Sequence, residues 1–173
     1  MTNKIMRLIV GLGNPGKQYE ITRHNVGFIF LDQLAIDLGL SWSEHKKSKS
    51  LVAKSTEVIL LKPQTFMNLS GEAVINALNF YKLEISDLIV IHDDIDVDLG
   101  KLKTTSSSRA AGNNGVQSII DKLGTQEFFR IRVGVRTPER AGRPAEKFVL
   151  EKFKKDELET IKNLYPEIKE ALG

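Results

Sequence analysis

The sequence predicts an α/β protein: a single three-layer domain over residues 1–173, with a mixed, mostly parallel central sheet flanked by helices. Three observations predict it. Short apolar, β-branched runs alternate along the chain with stretches of helical spacing, the order that gives a sheet covered by helices. Two of those runs, Leu8-Ile9-Val10 and Leu88-Ile89-Val90-Ile91, are apolar at every position and read as buried strands. A chain of 173 residues with no internal repeat and no linker is one domain by length, with enough material for a core.

Each element has its own warrant. Met6 to Leu12 is apolar and β-branched, a strand. From Asn25 to Leu38, Val26, Phe30, Leu31, Leu34 and Leu38 recur at helical spacing; Thr22 or Asn25 is placed to cap the start, and Gly39 stops the end. Ser41 to Ser50 is polar and lysine-rich and reads as mobile. Leu51 to Ala53 and Val58 to Leu61 read as a strand pair. Asn68 to Tyr81 is helical, with Leu69, Ala73, Val74, Ala77, Leu78 and Tyr81 inward. Leu88 to Ile91 is a strand, and Lys101 to Thr105 alternates. Thr104 to Asn114 is a run of small residues, fit for a flexible loop or for the close approach of a ligand. Asn114 to Leu123 is a helix closed by Gly124. Phe129 to Val135 alternates, with Phe129, Ile131, Val133 and Val135 on one face and Arg130, Arg132 and Arg136 on the other. Asp156 to Leu172 is an amphipathic helix interrupted by Pro166.

Composition narrows the function. The chain has no cysteine, which excludes disulfides, thiol nucleophiles and thiolate metal sites and fits a cytoplasmic protein. No apolar run approaches a membrane span, and no signal peptide is read at Met1. The net charge is only +3, but it is unevenly spread. Residues 84–98 hold six carboxylates and no base, whereas residues 101–147 hold ten Lys/Arg against four Asp/Glu. An acidic edge beside a basic flank suits a polyanion held near a reactive centre, or a merely solvated face.

Two segments carry the chemistry. One runs from Gly11-Leu12-Gly13-Asn14-Pro15-Gly16 through Tyr19 to Thr22-Arg23-His24-Asn25; the other is His92-Asp93-Asp94-Ile95-Asp96. Each follows an apolar strand, and strand ends of open α/β sheets are where such folds place their sites. If the two strands are neighbours, Asp93 at the sheet's carboxyl edge accepts the proton on one His24 nitrogen, leaving the other to take a proton from water. The glycine pattern matches a dinucleotide fingerprint only in part, because a helix does not follow at once. A turn presenting the Asn14 carboxamide to a carbonyl oxygen or a water fits it better. Asp94, Asp96 and Asp98 resemble the start of a calcium loop, but the glycine comes late, at Gly100, and Thr105 stands at the closing position. No G-x-S-x-G elbow and no P-loop is present. Asn68, ahead of one helix, and Asn114, ahead of another, read as helix caps as well as ligand contacts. Met67 and Phe66 suit either a groove or the core.

From near Met6 to about Leu150 the chain resembles the bacterial peptidyl-tRNA hydrolase family. The resemblance rests on Leu8 to Gly16, Tyr19, Thr22 to Gly27, Lys62 to Gly71, His92 to Asp96, Gly112 with Asn114-Gly115, and Phe129 to Val135, several independent motifs in order. It implies an esterase that cleaves peptide from the terminal ribose of tRNA and recycles the tRNA, without cofactor or metal. It further implies His24 as general base on water, Asp93 as its orienter, and Asn14 as the group that polarises the ester or positions the water. Asn68 and Asn114 become substrate-binding amides, and Tyr19 and Met67 groove walls. Lys103 and Arg132 are the candidates for a tRNA phosphate clamp, and the partner is the acceptor stem and 3′ end of peptidyl-tRNA, met by a monomer. The chain departs from the family pattern in its usually glycine-rich loop. Ser107, Ser108, Ala111 and Asn113 replace typical glycine and histidine positions, and Thr105 stands where a base is common, with Arg109 nearby. A non-catalytic RNA-binding relative of the fold, as in plastid splicing factors, and a metal-dependent hydrolase are the alternatives.

Overall fold

The computed structural model describes residues 6–173; Met1, with the start of the chain, lies outside them. The chain runs β1 (Arg7–Gly11), α1 (Val26–Asp37), β2 (Ser43–His45), β3 (Ser50–Lys54), β4 (Val58–Pro63), α2 (Ser70–Tyr81), β5 (Leu88–Asp98), β6 (Leu102–Thr105), α3 (Asn114–Leu123), β7 (Phe129–Arg136), α4 (Ala145–Phe148), α5 (Lys155–Lys162) and α6 (Tyr165–Leu172). The strands form one sheet in the order β2-β3-β4-β1-β5-β7-β6. Its four central strands, β4, β1, β5 and β7, are parallel, and β2, β3 and β6 join antiparallel at the edges.

The central strands are apolar on both faces because both are covered. On one face Ile9, Leu60, Ile89, Ile91, Ile131 and Val133 pack against α1, α5 and α6 through Phe30, Leu31, Leu34, Ile161 and Ile168. On the other, Leu8, Val10, Ile59, Leu61, Leu88 and Val90 meet α2 and α3 through Val74, Ala77, Leu78, Val116 and Ile119. The predicted three layers are these two cores with the sheet between them.

Helix α1 lies unusually close to the sheet. A Cβ on Gly27 would come 2.4 Å from Leu12 N and 2.5 Å from Ile91 O, and one on Gly11 would come 2.3 Å from Gly27 O. Two glycines facing each other thus let backbone rest on backbone where β1 ends beside Ile91 of β5.

The structure differs from the sequence expectations in several places. Ser41 to Ser50, expected to be mobile, holds β2 and a 3₁₀ turn, fastened by His45 accepting from Ser48 N and packed by its ring against Phe80 and Tyr81. β5 does not stop at Ile91 but runs to Asp98, because β7 goes on pairing with it after β1 has ended. Asn68 is not a cap: it sits in a 3₁₀ turn, and the first residue before α2 is Leu69. Asn114 is not a cap either; Asn113 accepts from Gly115 N and Val116 N in that role. The C-terminal amphipathic stretch is two helices, α5 and α6, with Pro166 in the first turn of the second, where its missing N–H costs nothing.

Candidate active site

β1 and β5 are parallel neighbours, with Gly11 beside Ile91. The end of β1 therefore opens beside the His92–Asp94 stretch of β5, and the two motif segments meet there. Beyond β1 the chain turns through Asn14 and reaches a 3₁₀ turn over Arg23–Asn25 that leads into α1. Beyond Ile91, β5 carries His92, Asp93 and Asp94, all buried.

His24 Nδ1 lies 2.9 Å from both Asp93 Oδ1 and Asp93 Oδ2. The ring is only 7% exposed. Burial disfavours the imidazolium, but the Asp93 charge and hydrogen bond outweigh it and hold the His24 pKa above the ordinary histidine value. With Nδ1–H donated to the carboxylate, Nε2 carries the lone pair.

Asn14 is fixed on three sides. Its N–H donates to Asn25 Oδ1 and its carbonyl accepts from Asn25 Nδ2, each at 2.9 Å. Its Oδ1 accepts from Met67 N at 2.8 Å. That last bond settles the orientation of the amide: what Asn14 offers the cavity is Nδ2, a donor. Asn25, read from sequence as a possible cap, instead locks Asn14.

A cavity of about 480 Å³ gathers Asn14, His24, Met67, Asn68, Asp93 and Asn114. Six of the nine predicted site residues thus share one space. Tyr19 stands just outside it, edge-on to Phe66, which lines it, with ring centroids 6.4 Å apart. Lys103 and Arg132 lie outside the cavity as directly opposed residues of β6 and β7. Arg132 Nε donates to Asp94 Oδ2 at 2.8 Å, and Asp94 lines the cavity, so the basic pair adjoins the site through that carboxylate. The calcium-loop reading of this strand fails on the same geometry. Asp94 binds Arg132 and Asp96 N, Asp98 binds Arg136, and among the described residues no group of three metal-ligating side chains converges.

Several site residues escaped sequence reasoning. The segment after α4 supplies Val149 and Leu150 to the cavity wall and Val149 O to His24 N at 2.8 Å. Arg23 holds that segment down: its guanidinium, 3% exposed, donates to Phe148 O, Glu151 Oε2 and Glu157 Oε1 and stands 4.1 Å over the Phe148 ring. Arg130, also buried, donates to Ser108 O and Arg109 O at 2.9 Å each and pins the small-residue stretch expected to be loose. Only the run Arg23-His24-Asn25, three polar residues leading straight into an apolar helix, hints in the sequence at such burial. A larger cavity of about 950 Å³ lies between α1 and the C-terminal helices; it shares Asn14 with the smaller one but not His24 or Asp93.

A buried His–Asp pair opposite a fixed amide donor, at the strand ends of an α/β sheet, is the arrangement of an enzyme that moves protons at a polar bond. The comparisons with known proteins agree and narrow the class. The model of the family "Peptidyl-tRNA hydrolase" matches residues 8–173, and the chain belongs to that family of hydrolases. It is 45% identical over 159 residues to the peptidyl-tRNA hydrolase of Bacillus anthracis, covering 90% of this chain and 85% of that one. It is 48% identical over 160 residues to that of Thermoanaerobacter sp. (strain X514), covering 90% and 85%. Among solved structures it is similar to peptidyl-tRNA hydrolase from Acinetobacter baumannii, with a TM-score of 0.85, 31% identity, and 93% of this chain and 83% of that one covered.

Proposed function

We propose that this chain, acting as a single domain and a monomer in the cytoplasm, hydrolyses peptidyl-tRNA with His24 as general base, and so returns tRNA to translation. The observation that carries the assignment is the His24 Nδ1 contact at 2.9 Å to both Asp93 oxygens, which fixes the tautomer and leaves Nε2 as the acceptor. Nε2 takes a proton from water as the water oxygen bonds to the ester carbonyl carbon. Asn14 Nδ2, aimed by the Met67 N bond, donates to the carbonyl oxygen as it gains charge. The C–O bond to the ribose then breaks, the imidazolium returns its proton to the ribose oxygen, and tRNA leaves with the peptide acid, which releases its remaining proton to solvent to become the carboxylate. Bonds made and broken balance with water alone.

Asn68 and Asn114, which line the cavity, hold the 3′ end, and Met67 forms a wall with Phe66, which Tyr19 backs. Lys103 and Arg132 receive the acceptor-stem phosphates. Thr104 and Thr105 continue the strand beside that pair, within the basic flank of residues 101–147.

The test is hydrolysis of an N-blocked aminoacyl-tRNA by the purified protein, with and without EDTA, beside His24→Ala. The expected result is turnover that survives EDTA and falls by at least about 10³-fold in the variant, while tRNA binding is kept. Equal loss of binding and turnover in the variant refutes the base assignment. Tight tRNA binding with no turnover by the unaltered chain favours the RNA-binding reading, and loss of turnover in EDTA favours a metal-dependent one.

A further inference from the structure

We infer that Asn113 is a positioning residue for the catalytic pair, holding the Asp93 carboxylate and setting the basicity of His24 through it. The inference rests on the role proposed above for His24. It starts from the orientation of one amide. Asn113 Oδ1 accepts from Gly115 N at 3.0 Å and from Val116 N at 3.1 Å. Two backbone donors on one atom leave no choice of rotation, because the opposite placement would set NH₂ against N–H. Nδ2 therefore faces β5, where it donates at 3.1 Å to Asp93 O and at 3.1 Å to Asp93 Oδ1. The side chain is 9% exposed, so water competes little for these bonds.

Asp93 Oδ1 is thus shared between His24 Nδ1–H and Asn113 Nδ2–H. Two effects follow. The carboxylate torsion, which is soft in aspartate, is held so that both oxygens stay at 2.9 Å from the imidazole. The amide donor also draws on the carboxylate charge, so Asp93 stabilises the imidazolium less than a free carboxylate would. Asn113 keeps the base ready to lose its proton while keeping its orienter in place. The other charged groups around the pair are engaged elsewhere. From β5, Asp94 is held by Arg132; from β7, Arg130 holds the 108–109 carbonyls; beside His24, Arg23 holds Glu151 and Glu157. His92 donates to Asp93 O and is kept neutral by burial, and Glu146 lines the outer wall of the cavity.

Capping and positioning are separable by substitution. Asn113→Ser keeps an oxygen that caps a helix as well as asparagine does but has no second arm to reach Asp93. Asn113→Asp keeps the caps and replaces the donor by a carboxylate oxygen. Two readouts serve: the acidic limb of the kcat/KM–pH profile, and titration of the His24 ring by NMR, assigned among the three histidines by single substitution. In Asn113→Ser both midpoints are expected to rise by about half a pH unit, with kcat down several-fold and melting temperature within about 2 °C of the unaltered chain. In Asn113→Asp the rise exceeds about one unit, because a second carboxylate then faces the pair. An unmoved His24 titration in both variants refutes the inference and leaves Asn113 a cap alone. Activity and melting temperature falling together with an unmoved profile refute it equally. The NMR midpoint does not depend on His24 being the base. A limb that fails to track the His24 titration in the unaltered chain therefore overturns the base assignment, not the Asn113–Asp93 link.

Discussion

Gly27→Ala puts the spacing of α1 to the test. A substitution of glycine by alanine within a helix ordinarily stabilises by up to about 1 kcal/mol. Here the added Cβ would lie 2.4 Å from Leu12 N, 2.5 Å from Ile91 O and 2.7 Å from Leu12 O. Carbon needs roughly 3.5 Å from such atoms, so the shortfall is close to 1 Å. All three are backbone atoms of β5 or of the residue that follows β1, which no rotamer change can move aside. The helix must lift, and overpacking of that kind costs about 1–3 kcal/mol or more, enough to outweigh the helical gain and give net destabilisation of roughly 2 kcal/mol. The displacement also falls on function. His24 sits three residues before Gly27 on the entry to α1, while Asp93 stays on β5, and a misplacement of 1 Å costs about 10²-fold in rate. Urea unfolding and turnover measured on the same preparation check both. A midpoint unchanged or raised, with normal turnover, would refute the claim that glycine at this position sets the helix-to-sheet distance.

The remaining predictions concern single side chains. His92 is fully buried and pushed down to about 4 by that burial, with the nearby Arg130 charge acting in the same direction. Its folded pKa lies below the unfolded value, so the stability it contributes is present above about 6.5 and is lost as pH falls toward 4, by about 3 kcal/mol in all. His92→Gln should flatten urea-derived stability between pH 7 and 4.5 relative to the unaltered chain; parallel curves would count against a buried neutral histidine. His24, raised instead of lowered, adds the opposite slope in both proteins and cancels in the comparison. Arg132→Ala should weaken tRNA binding and reduce the slope of log K against log salt by about one; an unchanged slope removes Arg132 from the clamp. Arg23→Met leaves Glu157, only 6% exposed, without its cation and should cost about 3–5 kcal/mol in chemical denaturation. A cost within about 0.5 kcal/mol, the range of an ordinary surface substitution, would show that the C-terminal segment is held by other means.

Much of the fold was legible because burial on two faces writes itself into composition. Leu88 to Ile91 has no polar position to spare, and the helical spacing of α1 and α2 names most of the residues that fill the two cores, Leu38 and Leu69 at the helix ends being half exposed instead. Element ends were less legible because neighbours decide them. β5 runs on through a row of acids because β7 offers partners and Arg132 and Arg136 offer charge, and nothing within residues 92–98 announces either. The cap of α3 fell one residue before the expected one: in Asn113-Asn114 the two side chains are chemically identical, and only the backbone at Asn113, extended at φ −79° and ψ 112°, turns its amide back to the helix. His24, Asp93 and Asn14 could be proposed together because each follows a recognisable strand or turn. The residues that hold them, Asn25, Asn113 and Arg23, act across separations of 11, 20 and 125 or more positions, which no local pattern carries.

The fastening of the His24 turn by Arg23 has a consequence for how the chain matures. His24 N and Arg23 N donate to Val149 O and Glu151 O, and Thr22 bridges to Lys152, so the turn made early in synthesis is completed by carbonyls made late. His24 has its final seat only with residues 148–157 in place. The same stretch and the helices after it also close one face of the sheet, through Phe148, Phe153, Ile161 and Ile168, so the clamp on His24 and that core are completed together. The seat of His24 on this scaffold is therefore completed by residues more than a hundred positions further along the chain.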